Sequence, residues 1–208
     1  MIGLNENQSD ALAELINIAF GLTAAKLSEI SGRRVVLEPP IIVSHPIEGL
    51  AKDMDLFSTG EIVSIHQVFS GVFSGDAILC LNPEGAVRLS NILVEESLQS
   101  KQLDTSNAEI LTEIGNMLLS ACLGVFGNLL QMHVSFSVPE LHRESLQQFL
   151  NSLVVSGEEV KYAVVINSSF KIQDSEVAGR IAIVLGVSSL ERLVQAIVQW
   201  EGDLIPSK

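Results

Sequence analysis

The chain has 208 residues, 47% of them hydrophobic and 18% charged, with a formal net charge of −13. Its apolar content is enough for a buried core and excludes a disordered chain. The acidic balance argues against nucleic acid and against an anionic membrane surface, because binding either needs clustered Lys and Arg.

The start, Met1-Ile2-Gly3-Leu4-Asn5-Glu6, lacks the basic region and long apolar stretch of a signal peptide. No window reaches about 18 uncharged apolar residues, so no spanning helix is expected and the protein is expected to be cytoplasmic. The first element is a long helix over 7–31. A short strand over 33–38 and Pro40 follow, then an irregular stretch. Two strand-like runs, 61–72 and 76–81, flank Phe73-Ser74-Gly75. An amphipathic helix over 83–94 has Pro83 in its first turn, where a missing N–H costs nothing. After a link at 98–104 the order repeats. A helix over 105–130 leads to a strand over 132–138 and Pro139. Strands over 160–172 and 178–185 then flank Asp174-Ser175, and a closing helix spans 188–199 with Ser188 as its N-cap.

The repetition extends to single residues. Asp10, Glu14, Asn17 and Pro40 fall on Glu109, Glu113, Asn116 and Pro139 at an offset of 99. Gly75, Leu81, Arg88 and Leu89 fall on Gly179, Leu185, Arg192 and Leu193 at an offset of 104, so the second half carries a five-residue insertion, read as a loop. The reading is a single α+β domain over 1–208, with internal repeats at about 7–96 and 106–199 and a pseudo-two-fold duplication. Tight turns between the strand pairs require antiparallel pairing, which predicts a shared, mostly antiparallel sheet. The two long helices are expected on one face, close together and roughly antiparallel.

Those helices carry the candidate chemistry. At 100° per residue, Leu12, Ile16, Ala19, Phe20, Thr23, Leu27 and Ile30 cluster within about 80° of one direction. Asp10, Glu14, Asn17, Gly21, Ala24 and Ser28 form the opposite ridge. In the second helix Ile114, Leu118, Ala121 and Val125 share one side, while Glu109, Glu113, Asn116, Ser120 and Gly127 line another. Any surface helix turns polar residues outward. An ordinary solvated face, however, tolerates Lys, Arg, Gln and Glu interchangeably. Here both helices present an acid, then Glu, then Asn, without a cation, and Asn is a middling helix former.

Other chemistries find little support. Cys80 and Cys122 lie in apolar runs and read as buried, reduced thiols. His45, His66, His133 and His142 lack metal-ligand spacing. Nucleophile-elbow, Walker and Rossmann signatures are missing.

At the two ridges the sequence resembles the CheC/CheX/FliY family of response-regulator phosphatases, closest to the two-site CheC type. The family pattern is Asp or Ser, three residues, Glu, two residues, Asn, then Pro after twenty-two more. Asp10, Glu14, Asn17 and Pro40 match it throughout; Glu113, Asn116 and Pro139 match it again, with Glu109 where Asp or Ser is usual. Glu113-Ile114-Gly115-Asn116 is similar to the family's Glu-Ile-Gly-Asn core, whereas the first copy reads Glu14-Leu15-Ile16-Asn17. A FliY-type switch protein carries a further C-terminal domain, and the chain stops at Lys208 just after the last repeat helix. A CheX-type protein is the weaker fit, because two motifs are present.

The resemblance implies a phosphatase for the aspartyl phosphate of a CheY-like regulator. Asn17 and Asn116 would orient the attacking water, since a carboxamide both donates and accepts. Glu14 and Glu113 would pair with the regulator's active-site lysine. Asp10 and Glu109 would support docking, while Pro40 and Pro139 would shape the strand behind each helix. Mg²⁺ would be held by the regulator, leaving no metal or cofactor on this chain. The alternative is a non-catalytic docking protein for a regulator or for the CheD receptor deamidase.

Overall fold

The computed structural model describes residues 4–46, 60–93, 99–129, 133–145, 148–149, 161–172 and 175–204. Expectations that fall on 47–59, 94–98, 130–132, 160 and 173–174 lie outside them, as do the side chains of His45 and Val125.

Helix α1 runs Glu6–Ser31. Asn5 accepts from the Gln8 amide at 2.9 Å, and the Gln8 side chain accepts from the Asn5 amide at 2.9 Å. This reciprocal box satisfies two donors at the helix start. Gly32 ends the helix at φ 63, a left-handed conformation that glycine adopts without strain. Strands β1 (Val35–Leu37), β2 (Ile41–Pro46), β3 (Glu61–Gly71) and β4 (Gly75–Leu81) follow. Helix α2 (Pro83–Ser90) starts with Pro83 in its first turn, is capped by Asn82 and runs into a 3₁₀ turn at Asn91–Leu93. The second half repeats this as α3 (Thr105–Leu129), β5 (Val134–Phe136), β6 (Glu140–Ser145), β7 (Lys161–Ile172), β8 (Ser175–Gly186) and α4 (Val187–Leu204).

All eight strands pair antiparallel in one sheet, of order β1-β7-β8-β4-β3-β5, with β2 also on β7 and β6 also on β3. Exchanging each strand for its repeat counterpart reverses this order without changing it. At the centre Leu79 pairs with Ile181, its own counterpart by the register of the flanking strands. The pseudo-two-fold axis therefore passes between β4 and β8, normal to the sheet. Such an axis keeps both motif helices on one face and runs them in opposite directions, and α1 and α3 pack against each other.

One face of the central strands supplies Val63, Ile65, Ala77, Leu79, Leu81, Val164, Ile166, Ile181, Ile183 and Leu185. These join Leu12, Leu15, Ile16, Ala19 and Phe20 of α1 and Leu111, Ile114, Leu118 and Leu119 of α3 in a continuous core. Residues between them, such as Ile78, Cys80, Ala182 and Val184, are buried on the other face. Central strands therefore read as continuous apolar runs rather than alternating ones. Both cysteines are buried and unpaired, and burial pushes their thiols up.

The structure corrects five local expectations. The stretches after Pro40 and Pro139 are strands β2 and β6, each seated on the same long strand as the short strand before its proline. A proline cannot donate to the ladder, so it breaks one edge into two segments. The five extra residues of the second half are not one loop: strand register sets β7 101 residues after β3, so two of them precede β7 and three follow it, and the β7–β8 hairpin pairs out to Ile172 and Ser175. Ile30, in the last turn of α1, is exposed. Ala24 is buried rather than on the outward ridge. Ser188 lies inside α4, which starts at Val187.

By length and composition α1 could cross a membrane, but half of the qualifying stretch is buried within the protein.

Candidate functional site

On α1, Asp10, Glu14 and Asn17 are all exposed, followed by exposed Gly21. Spacings of four, three and four residues set them in one row along the helix. None of the three polar side chains has a hydrogen bond or ion pair to any described residue. The row ends at Gly21, because Ala24 turns inward and the Ser28 hydroxyl accepts from the Val35 amide of β1 at 2.9 Å. Ile18 and Leu22, 41% and 66% exposed, flank the row on the side away from Ala24. Among the described residues Glu14 and Asn17 bond to nothing in the fold, and an exposed apolar pair lies beside them.

On α3, Glu109 and Glu113 are likewise exposed and unpaired among the described residues. Together with Ile110 and Thr112 they line a shallow recess. The four acids of the two rows have no cation beside them among the described residues, so each row presents unneutralised carboxylates to whatever approaches.

Asn116 differs from Asn17. It is half-buried, and its Oδ1 accepts from Gln67 Nε2 at 3.0 Å and from Ser120 Oγ at 3.1 Å. The amide orientations follow from one fixed group. Gln67 Nε2 also donates to the Ser137 carbonyl at 2.9 Å. A carbonyl can only accept, so that end of Gln67 must be the nitrogen, and the Asn116 atom facing it must be the oxygen. Gln67 Oε1 is buried without a partner. Ser137 is held in turn: its hydroxyl accepts from the Val68 amide at 3.0 Å, and its own amide donates to the Val68 carbonyl at 2.9 Å.

The contact exists because α3 comes close to β3. A Cβ at Gly115 would lie 2.9 Å from Ile65 Cγ2, so only glycine permits this approach. At the matching position α1 carries Ile16, which is fully buried.

The sequence pattern located each acidic and Asn motif residue on the expected helix. It missed Gln67, although a signal was present: this polar residue occupies an inward position of β3 between Ile65 and Phe69, where an apolar side chain is expected. Pro40 is buried and Pro139 half-buried, each at the break between two short strands and away from the helix ridges.

No family model matches the chain. Its sequence is similar to the CheY-P phosphatase CheC of Bacillus subtilis, with 23% identity over 203 residues, covering 94% of this chain and 96% of that protein. Its fold is similar to that of Thermotoga maritima FliY, with a TM-score of 0.76 at 17% identity over 95% of this chain and 98% of that one. It also resembles FliM from the FliG–FliM complex of H. pylori, with a TM-score of 0.64 at 13% identity, covering 92% of this chain and all of the other. A further likeness is to the CheX–CheY–BeF3–Mg²⁺ complex of Borrelia burgdorferi, with a TM-score of 0.50 at 13% identity, covering 81% and 96% of the two chains.

Proposed function

We propose that this chain, of the CheC/CheX/FliY type in sequence and fold, is a phosphatase for the aspartyl phosphate of a CheY-like response regulator. The observation that carries the proposal is the Glu14–Asn17 row: a carboxylate and a carboxamide, adjacent on one exposed helix face, that no other described part of the fold uses. An acyl phosphate needs little covalent help from its catalyst; the task is to place a water in line with the bond that breaks. Glu14 pairs with the regulator's active-site lysine and sets the helix against the phosphoryl group, with Asp10 in support. Asn17 then holds the water through its carbonyl and amide groups. The water oxygen bonds to phosphorus as the bond to the aspartyl oxygen breaks. The carboxylate leaves with the electron pair, and the water's proton passes to a phosphate oxygen. Glu113, Asn116 and Glu109 form the second copy. Mg²⁺ belongs to the regulator and stabilises the phosphoryl charge there.

The test is phosphate release from a phosphorylated CheY-type regulator, with and without this protein, at fixed Mg²⁺. Acceleration that saturates with regulator supports the reading; an unchanged rate removes it. The second reading is a docking protein, for a regulator or a CheD-type deamidase, that hydrolyses nothing. The occupied oxygen of Asn116 favours that reading at the second row, and binding without acceleration would establish it.

A further inference from the structure

We infer that the two rows are chemically unequal: Asn17 is free to hold the attacking water, whereas a Gln67–Ser120 clamp leaves Asn116 only its two N–H donors. This rests on the phosphatase reading above. A carboxamide oxygen has two lone-pair sites. At Asn116 both are taken, by Gln67 Nε2 at 3.0 Å and Ser120 Oγ at 3.1 Å. A water poised for attack must aim its own lone pair at phosphorus, so it must hand its hydrogens to acceptors. Asn116 has no acceptor left to offer. Its amide hydrogens suit a phosphoryl oxygen, which is an interaction of docking.

The first half lacks each part of this clamp at the matching position. Gly21 stands where Ser120 stands, and it has no hydroxyl to donate. By the strand register against β1 and β2, Ser168 of β7 stands where Gln67 stands. The Ser168 hydroxyl donates to the Glu38 carbonyl at 2.9 Å, and Glu38 is the counterpart of Ser137. The bridge from the long strand to the chain before the proline is thus kept in both halves. Only in the second is the bridging side chain long enough to reach Asn as well. Ile16 in place of Gly115 completes the difference, since the glycine is what lets α3 approach β3. Three paired differences converge on a single amide oxygen.

Gln67 and Ser120 are therefore positioning residues, and removing them should convert the second row toward the first. Two measurements decide the matter. In wild type, NMR of the side-chain amides should show Asn116 ordered and Asn17 averaged; Ser120→Ala should loosen Asn116. In the Asn17→Ala protein, where only the second row can act, Ser120→Ala should raise kcat on the order of tenfold, with KM for the phosphorylated regulator unchanged. Ser120 is half-buried on a helix and alanine is a good helix former, so folding is not at stake. Gln67→Ser, which copies the first half, should act in the same direction. An Asn116 amide as mobile as that of Asn17 overturns the clamp. An ordered amide with kcat unchanged or lowered by both substitutions overturns its role. A wild-type protein that accelerates nothing removes the phosphatase reading itself, which is a distinct result from an active wild type whose unclamped row stays slow.

Discussion

Gly115 and Ile65 touch so closely that a methyl group on Gly115 would overlap the branched side chain opposite, at 2.9 Å from Cγ2 and 3.0 Å from Cβ and Cγ1. Ile65 is fully buried and cannot retreat. Gly115→Ala should therefore destabilise the protein by about 1–3 kcal/mol, read from the urea midpoint. It should also push α3 off β3 and stretch the Gln67–Asn116 hydrogen bond. Gly21→Ala is the contrast, since a Cβ there meets nothing within 4 Å. Removing a glycine from a helix interior should stabilise by about 0.5–1 kcal/mol. Shifts of the same sign in both variants would contradict the packing.

Docking through Glu14 and Glu113 has a charge signature. Both are exposed with no cation of their own among the described residues. Lys at either position would oppose the regulator's lysine and should abolish binding at that row. Each single variant should halve the number of regulators bound per chain in calorimetry, and Glu14→Lys with Glu113→Lys should remove binding. Unchanged binding by the double variant would refute the docking mode.

Much of this arrangement was legible because two signals are local. Helical periodicity placed Leu12, Ile16, Ala19 and Phe20 inward and Asp10, Glu14 and Asn17 outward. The strict 99 offset linked the halves before any contact was known, and β1 with β5 and β2 with β6 obey it residue for residue. The failures are tertiary in origin. Ala24 and Ile30 lie on the faces that periodicity assigns wrongly: Ser28, one turn on from Ala24, is tied to the Val35 amide of β1, so that side of the helix faces the fold, and Ile30 falls in the last turn of α1. Strands β2 and β6 were missed because a proline reads as a stop, whereas here it only interrupts an edge shared by two segments. Gln67 could be seen as a polar intruder in an apolar strand. Its partner could not, because Asn116 is distant in sequence and comes within reach only through the approach at Gly115.

Ile18 and Leu22 offer a test of docking that leaves the polar row intact. Both are exposed and one helical turn apart, beside Asn17 and Gly21. Leu22→Ala should change stability by less than about 0.5 kcal/mol, since little burial is lost. If a regulator covers this flank, the same change should weaken binding at the first row by about 1 kcal/mol, roughly fivefold. Titration in the Glu113→Lys background isolates that row. Equal affinity with and without Leu22→Ala would place the regulator elsewhere on the helix.

Catalysis and docking separate at the asparagines. If Asn17 acts by holding water, its amide contributes to the transition state and little to the bound ground state. Asn17→Ala should then lower kcat on the order of a hundredfold at the first row, while KM for the phosphorylated regulator barely moves. Asn116→Ala should cost less, because its oxygen already serves Gln67 and Ser120. That substitution leaves Gln67 Nε2 with the Ser137 carbonyl alone, so a modest loss of stability should accompany it, about 1 kcal/mol. Asn17→Ala should cost none, since its side chain bonds to no described residue. The two variants thus differ in opposite senses: the first loses turnover and keeps stability, the second loses stability and keeps most turnover. A double variant that dephosphorylates the regulator as fast as wild type would rule out the role of both asparagines, whichever row the regulator occupies.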